Sequence, residues 1–304
     1  MDFLGYNKVC TTGKPVSMDQ GKENITMKKP LAMLLALTMA FTMAGCAGGG
    51  STESKDSTAS KETAEAKENA DTEEAADASK DTDSEAGADV MSYDEYMAAD
   101  LDSQVTVQAY VQAKQSWYED KATVYAQDKD GGYFFYDMAC PEDEYDLLTP
   151  GTKIQVTGYK SEWSGETEIM DGSFEIIDDG DTYVADPLDV TQMLGTDELI
   201  NYQNQFVSFK GMTVEAAGQD ANGNDVPFLY NYDGSGTEGD DLYFNASYNG
   251  QTYTFTIESY LCDSSTEVYS AVKSLQIGQT IDMEGFLYWY EGVNPHITSV
   301  TVVG

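Results

Sequence analysis

The chain has 304 residues and a formal charge of −38, and all 16 of its basic residues are lysine. The length suits two domains plus tails. With no arginine, the side chain best fitted to bidentate phosphate and guanine contacts is missing, and so much negative charge repels a polyanion while attracting a cationic partner or metal ion.

In chain order, the first organised segment is MKKPLAMLLALTMAFTMAGC, residues 27–46. Lys28 and Lys29 form a basic start, an apolar run of 14 residues extends from Leu31 to Ala44, and Ala44-Gly45-Cys46 closes it. This is the layout of a secretory signal, and the run is short of the roughly 20 residues that span a bilayer. The small-small-Cys ending resembles the lipobox of bacterial lipoproteins, although Met43 stands where that pattern prefers leucine. The resemblance implies signal cleavage after residue 45, a lipid on the Cys46 thiol, and a place on the outer face of the cytoplasmic membrane of a Gram-positive-type cell. Two or more acyl chains anchor stably, since each buried CH₂ contributes about 0.8 kcal/mol. Signals start at the initiator, so residues 1–26 read as an upstream extension and Met27 as the true start.

Residues 46–90 follow as a lipidated cysteine and a tether. Beyond Cys46 the tether holds 13 acidic residues and 4 lysines, with no aromatic residue. Such a segment buries too little apolar surface to offset ordering entropy. As a flexible coil it would reach roughly 35–40 Å, and further with charge repulsion.

From residue 91 the composition turns to Tyr, Phe, Val and Ile, and the chain repeats itself. LLTPGTKIQVTGYKSEWSG, from Leu147, matches KSLQIGQTIDMEGFLYWYEG, from Lys273, with Gly158-Tyr159 on Gly285-Phe286. Upstream, YFFYDMAC matches FTIESYLC, which places Cys140 on Cys262. In the first copy Ser92 and Glu95 have capping-box spacing for a short helix. Residues 104–113 alternate as a strand, ATVYAQD and YFFYD flank a KDGG turn, EDEYDLL reads as a short helix, and two strands close the copy. The second copy keeps this order with Asn249-Gly250 as its hairpin turn. The expected boundaries are 91–185 and 186–304. Two separate, half-buried thiols at Cys140 and Cys262 are favoured over a bridge between the copies.

Five strands with a helix between the third and fourth is the plan of the OB fold. The L-x-x-G-x-x-I-x-V-x-G-Y run of the first copy resembles OB-fold domains of the nucleic-acid-binding superfamily, and the chain as a whole resembles tandem-OB surface lipoproteins of Gram-positive anaerobes. The expected fold is mainly β: two tandem five-stranded barrels, each with short helices. Gly158 and Gly285 would mark sharp mid-strand bends.

OB folds take ligands on the face of strands 2 and 3, between the loop joining strands 1 and 2 and the loop joining strands 4 and 5. All three tryptophans map to such loops: Trp117 in the first kind, Trp163 and Trp289 at the start of the second. Strand alternation groups Ile281, Met283, Gly285, Leu287 and Trp289 on a core-facing side, with Trp289 capping the barrel end. Phe286, Tyr288 and Tyr290 then face outward, either over a neighbour or toward a ligand. The loop of about 215–241 is long, carries the run PFLYNY, and is expected to approach Trp289, Tyr290, Asn294 and His296. The candidate ligand-binding set is therefore Trp117, Trp163, Tyr232, Trp289, Tyr290, Asn294 and His296. Calcium is the one candidate ion, on Asp233, Glu238, Asp240 and Asp241. A second run, Asp220-x-Asn222-x-Asn224, starts like an EF-hand but has Asp225 where that loop needs glycine, so turn chemistry is the stronger reading. His296 is the sole histidine, which leaves no usual zinc site, and it reads as a partly exposed hydrogen-bonding residue. No nucleophile constellation is seen, and no catalytic residue is expected.

These features favour a non-catalytic binding protein whose ligand is an extracellular protein, a glycan or a small solute. Nucleic-acid binding rests on the fold resemblance alone, since residues 91–304 set 7 lysines against 38 acids. An accessory subunit of a surface enzyme complex and a structural envelope component are the other readings.

Overall fold

The computed structural model describes residues 89–304. The signal segment, Cys46, the tether and Cys10 lie outside the described residues. The first element is helix α1 (Tyr93–Ala98), begun by the expected capping box: the Ser92 hydroxyl accepts from the Glu95 N–H, and the Glu95 carboxylate accepts from the Ser92 N–H. Five strands follow, β1 (Gln104–Lys114), β2 (Lys121–Gln127), β3 (Gly132–Ala139), β4 (Lys153–Trp163) and β5 (Glu166–Ile176), with α2 (Glu142–Tyr145) between β3 and β4. They close as a barrel in the order β1-β2-β3-β5-β4, with β3 and β5 parallel and the other pairs antiparallel. This is the expected strand plan.

The second barrel begins differently from the first. The short β6 (Leu188–Asp189) lies parallel to β7 (Phe206–Glu215), and two 3₁₀ turns, Thr191–Met193 and Leu199–Tyr202, stand where the repeat leads one to expect an α-helix. The long loop then forms a two-stranded ribbon, β8 (Gly218–Gln219) with β9 (Asp225–Val226), and β10 (Phe228–Tyr230), which is the PFLYNY run. The remaining elements are β11 (Leu242–Tyr248), β12 (Gln251–Ile257), α3 (Glu267–Lys273), β13 (Thr280–Phe286) and β14 (His296–Val302). The ring β7-β11-β12-β14-β13 is closed by the pairing of β11 with β7, and β10 and β6 extend it at its margins. Asn249 and Gly250 both take positive φ, 52° and 79°, as a two-residue turn matched to strand twist requires.

Each barrel has its own interior. Val107, Val111, Val124, Tyr133, Phe135, Ile154, Val156 and Ile169 fill the first. Phe209, Val214, Phe244, Phe255, Ile257, Tyr269, Ile281 and Met283 fill the second. Cys140 belongs to the first core and Cys262 to the second, so the equivalent cysteines are packed in separate places. The two repeated glycines do what their mid-strand position implies. Both sit where strand register slips, between Thr157 and Tyr159 and between Glu284 and Gly285. At Gly285 a Cβ would stand 2.2 Å from the His296 carbonyl oxygen, and at Gly158 it would stand 2.8 Å from that of Met170.

Because the obstacle at Gly285 is backbone of the adjoining strand, Gly285→Ala should cost about 1–3 kcal/mol and lower the melting temperature of the full chain. Thermal unfolding followed by circular dichroism checks this. A variant as stable as the wild type would mean that the bulge tolerates a side chain.

Candidate functional site

The alternation that fills the two interiors also determines what lies outside them. In the first barrel the outward residues of β2 and β3 include Tyr125, Phe134 and Tyr136, with Tyr125 directly opposite Phe134. Tyr125 and Phe134 are nonetheless buried, and they belong to the core of the second barrel. Phe286 stacks on Tyr125 with ring centroids 4.3 Å apart and planes 10° from parallel. Tyr288 meets Phe134 edge-on at 5.4 Å and stacks on His296 at 4.3 Å. His296 Nδ1 and the Tyr125 hydroxyl are hydrogen-bonded at 2.9 Å. Of the two roles open to Phe286 and Tyr288, covering a neighbour is therefore the one the structure adopts. The strand-2/strand-3 face of the first barrel is closed by the second.

Polar contacts finish this joint. Gln203 donates to the Gly165 carbonyl and accepts from the Thr167 N–H, Asn204 donates to the Thr167 carbonyl, and Gln127 accepts from the Phe206 N–H. The two strand-4/strand-5 loops also meet directly. The Trp289 N–H donates to Glu166 Oε2 at 2.8 Å, and the Glu291 N–H donates to the Ser164 carbonyl at 2.7 Å. The Trp289 indole lies against Gly165, where a Cβ would come within 2.9 Å of it.

Two carboxyls and an imidazole are enclosed in or beside this joint. Burial pushes the Glu166 carboxyl up to about 9, in spite of its bonds to Trp289 and Asn204, so it is neutral at ordinary pH. Its Oε1 and the Asn204 Oδ1 are both buried, and neither accepts a hydrogen bond from the protein. Burial holds His296 down to about 3, keeping the imidazole neutral. Glu168 is raised to about 7, again mainly by burial. His296 is thus more enclosed than the sequence suggests, because the face of the neighbouring barrel covers it.

The equivalent face of the second barrel has a different fate. Tyr243, Asn245 and Ser247 point outward from β11, opposite Thr256, Thr254 and Thr252 of β12. Tyr243 and Thr256 form the cross-strand pair that corresponds to Tyr125 and Phe134. Where the first barrel has phenylalanine, the second has threonine, and its row is polar. Thr254 Oγ1 donates to Asn245 Oδ1, Thr256 Oγ1 donates to Asn294 Oδ1, and Ser247 donates to Glu215. Two loops flank the row. From the long insert, Tyr232 packs edge-on against Tyr243 at 5.9 Å while 79% exposed. Tyr290, from the strand-4/strand-5 loop, is 48% exposed and near enough to Tyr243 to add slightly to a rise in its hydroxyl pKa that burial mainly causes.

The expected set is thereby divided. Tyr232, Tyr290 and Asn294 gather around this open face. Trp289 and His296 lie in the joint between barrels, and the insert reaches the Tyr243 side of the loop. Trp117 is half-buried against the first core, donating through Nε1 to the Cys140 carbonyl, while Trp163 is 60% exposed on the first barrel. The residues that sequence reasoning passed over are Tyr125, Phe134, Glu166, Tyr243 and Asn245. A signal for one of them, Phe134, existed: YFFY (133–136) is apolar at successive positions, as a strand buried on both faces is.

The carboxylates proposed for calcium are engaged in local structure. Asp233 accepts from the Ser235 N–H, Glu238 pairs with Lys273 and Tyr230, Asp240 accepts from the Thr237 N–H, and Asp241 accepts from both groups of Ser259. Asp220 accepts from the Asn222 and Asn224 N–H groups, closing the β8–β9 ribbon as turn chemistry. Among the described residues no group of three or more His, Cys, Asp or Glu side chains is gathered as a metal site.

No family model and no curated protein matches the chain. Solved structures with a distant likeness include a replication protein A heterotrimer bound to single-stranded DNA, at 13% identity and a TM-score of 0.28. The match covers 66% of this chain and 49% of that one, so it spans about half of that protein's length. Another is the Ifi202 HINa domain in complex with a 20-base-pair double-stranded DNA, at 10% identity and a TM-score of 0.31, covering 66% of this chain and 98% of that one. A murine DNA-binding protein bound to double-stranded DNA matches at the same identity and TM-score, with 96% of that chain covered.

The buried groups set the pH dependence. Glu166 is raised in the folded state, so its contribution to stability is complete below about 4.5 and is lost as pH climbs toward about 9. Glu168 acts in the same direction up to about 7. His296 is lowered, so its contribution is complete above about 6.5 and is lost as pH falls toward about 3. Glu166→Gln should therefore gain stability over wild type at pH 9, on the order of 2 kcal/mol, and much less at pH 5. Urea unfolding at the two pH values measures the difference; an equal effect at both would contradict a neutral Glu166.

Proposed function

We propose that this protein is a non-catalytic binding module, tethered to the outer face of the cytoplasmic membrane of a Gram-positive-type cell through a lipid on Cys46, whose ligand face is the outer side of β11 and β12. One observation carries the reading. Two equivalent barrel faces exist, one sealed by its neighbour and one left open, polar and flanked by exposed tyrosines from two loops. Tyrosine offers large contact area for little entropy loss, and it marks binding surfaces for that reason.

Electrostatics supports a ligand that is not a polyanion. Six of the seven lysines among the described residues are held by the protein's own groups: Lys121, Lys153, Lys210 and Lys273 by carboxylates, Lys114 and Lys160 by backbone carbonyls. Little cationic charge is left to neutralise phosphates, the main source of affinity for nucleic acid. The lipobox-like sequence and the acidic tether support the anchored location.

Two measurements test this reading. Full-length protein made in a Gram-positive host should partition with the membrane fraction, and Cys46→Ser should release it to the medium. The photoreactive residue p-benzoylphenylalanine at position 232 should then yield a covalent adduct on living cells that the same residue at the exposed Leu147 of the first barrel does not. Equal labelling from both positions would remove the β11–β12 face as the site.

A further inference from the structure

The open face has a chemistry narrower than "a ligand". Its long axis, Tyr243-Asn245-Ser247 with the threonines opposite, measures roughly 13 Å at the usual rise per strand residue. Along it run hydroxyls and amides, each able to donate and accept. Aromatic rings stand at one end, Tyr232 from the insert and Tyr290 from the strand-4/strand-5 loop, both substantially in water. The charged groups facing the strip are acidic: Glu215, held by Ser247, and Glu258 near Tyr243. No lysine lies on the outward positions of β11 and β12.

Each feature excludes a class. A phosphate-bearing ligand would meet carboxylates where it needs cations. An apolar peptide would cover the exposed hydroxyls of Thr252 and Thr254 without offering them a hydrogen bond, which costs about 1–3 kcal/mol per group left unpaired. What fits is a neutral molecule with a dense array of hydroxyls and with C–H faces to lie on tyrosine rings. Resting on the binding-module reading above, we propose that the face formed by Tyr243, Asn245, Thr252 and Thr254, with Tyr232 and Tyr290 at its end, binds an uncharged pyranose oligosaccharide. The tyrosine rings take the C–H face of a sugar, the Thr252 hydroxyl exchanges hydrogen bonds with hydroxyls of the following units, and the oxygens of Ser247 and Thr254, whose hydrogens go to Glu215 and Asn245, accept from them. The acidic surroundings serve this choice, since they repel anionic glycans and nucleic acids and leave a neutral chain unaffected.

The test is native affinity electrophoresis of the full chain in gels containing single neutral polysaccharides (xyloglucan, galactomannan, arabinoxylan). Parallel binding assays use polygalacturonate, a 30-mer oligothymidylate and a deca-lysine peptide. At least one neutral polysaccharide should retard the protein, with a dissociation constant that rises tenfold or more in Tyr232→Ala and in Thr254→Val and is unchanged in Trp163→Ala. Tyr232 is exposed, so its variant stays folded, and circular dichroism verifies this. Retardation by none of the neutral polysaccharides overturns the sugar assignment. Binding of deca-lysine that depends on Tyr232 overturns it too but leaves the face as a binding face. Sugar binding indifferent to Tyr232, Tyr290 and Thr254 overturns the site together with the reading it rests on.

Discussion

Phe286 lying flat on Tyr125 is the contact on which the rest of this structure depends. The first barrel's second and third strands are apolar on both sides. Val124, Ala126, Tyr133 and Phe135 fill its interior, and Tyr125 and Phe134 point away from it. Left open, that outer face would cost roughly 1.5–3 kcal/mol per exposed large side chain relative to burial. Covering it with Phe286, Tyr288 and His296 removes that cost and gives the second barrel part of its own core. The tandem thus has two interiors joined through an apolar centre, Tyr125, Phe134 and Phe286, that is framed by polar contacts.

The proposed function rests on how unevenly the two copies use the same position. On a small barrel of this plan, the outer face of strands two and three is the broadest regular surface available. The first copy spends it on attachment. The second copy has Thr256, buried and bonded to Asn294, where the first has Phe134, and beyond it presents Asn245 and the exposed Thr252 and Thr254. The loops diverge to match. The joint between strands four and five is short in the first copy and ends at Gly165, against which Trp289 can lie. In the second copy it is longer and sends Trp289 inward, toward the first barrel, and Tyr290 outward, toward the open face. Glu166 sits under this junction, buried, and accepts from the Trp289 N–H.

Much of this was legible in the sequence. The strand plan, the capping box at Ser92, the Asn249-Gly250 turn and the bulges at Gly158 and Gly285 depend on local rules of turn geometry and period, and a sequence states such rules directly. The choice between covering a neighbour and facing a ligand was open for Phe286 and Tyr288, because alternation gives the side of a strand but not what lies across from it. Trp289 and His296 appeared beside Tyr290 and Asn294 as one loop cluster, and that cluster turned out to straddle two surfaces. The partner that draws His296 inward, Tyr125, is 171 residues away. Glu166 and Asn204 were invisible for the same reason: a buried carboxyl looks like any other strand-edge glutamate until its distant neighbours are placed. In the acidic insert Asp and Asn close turns by bonding to nearby backbone N–H groups, which they do whether or not a metal is near.

The central claim is that the barrels share one apolar joint centred on Tyr125 and Phe286. Differential scanning calorimetry of the full chain tests it most directly. The account predicts a single cooperative transition in the wild type, with van't Hoff and calorimetric enthalpies in agreement, and two separated transitions in Phe286→Ala. Two independent transitions already present in the wild type, unmoved by Phe286→Ala, would contradict it.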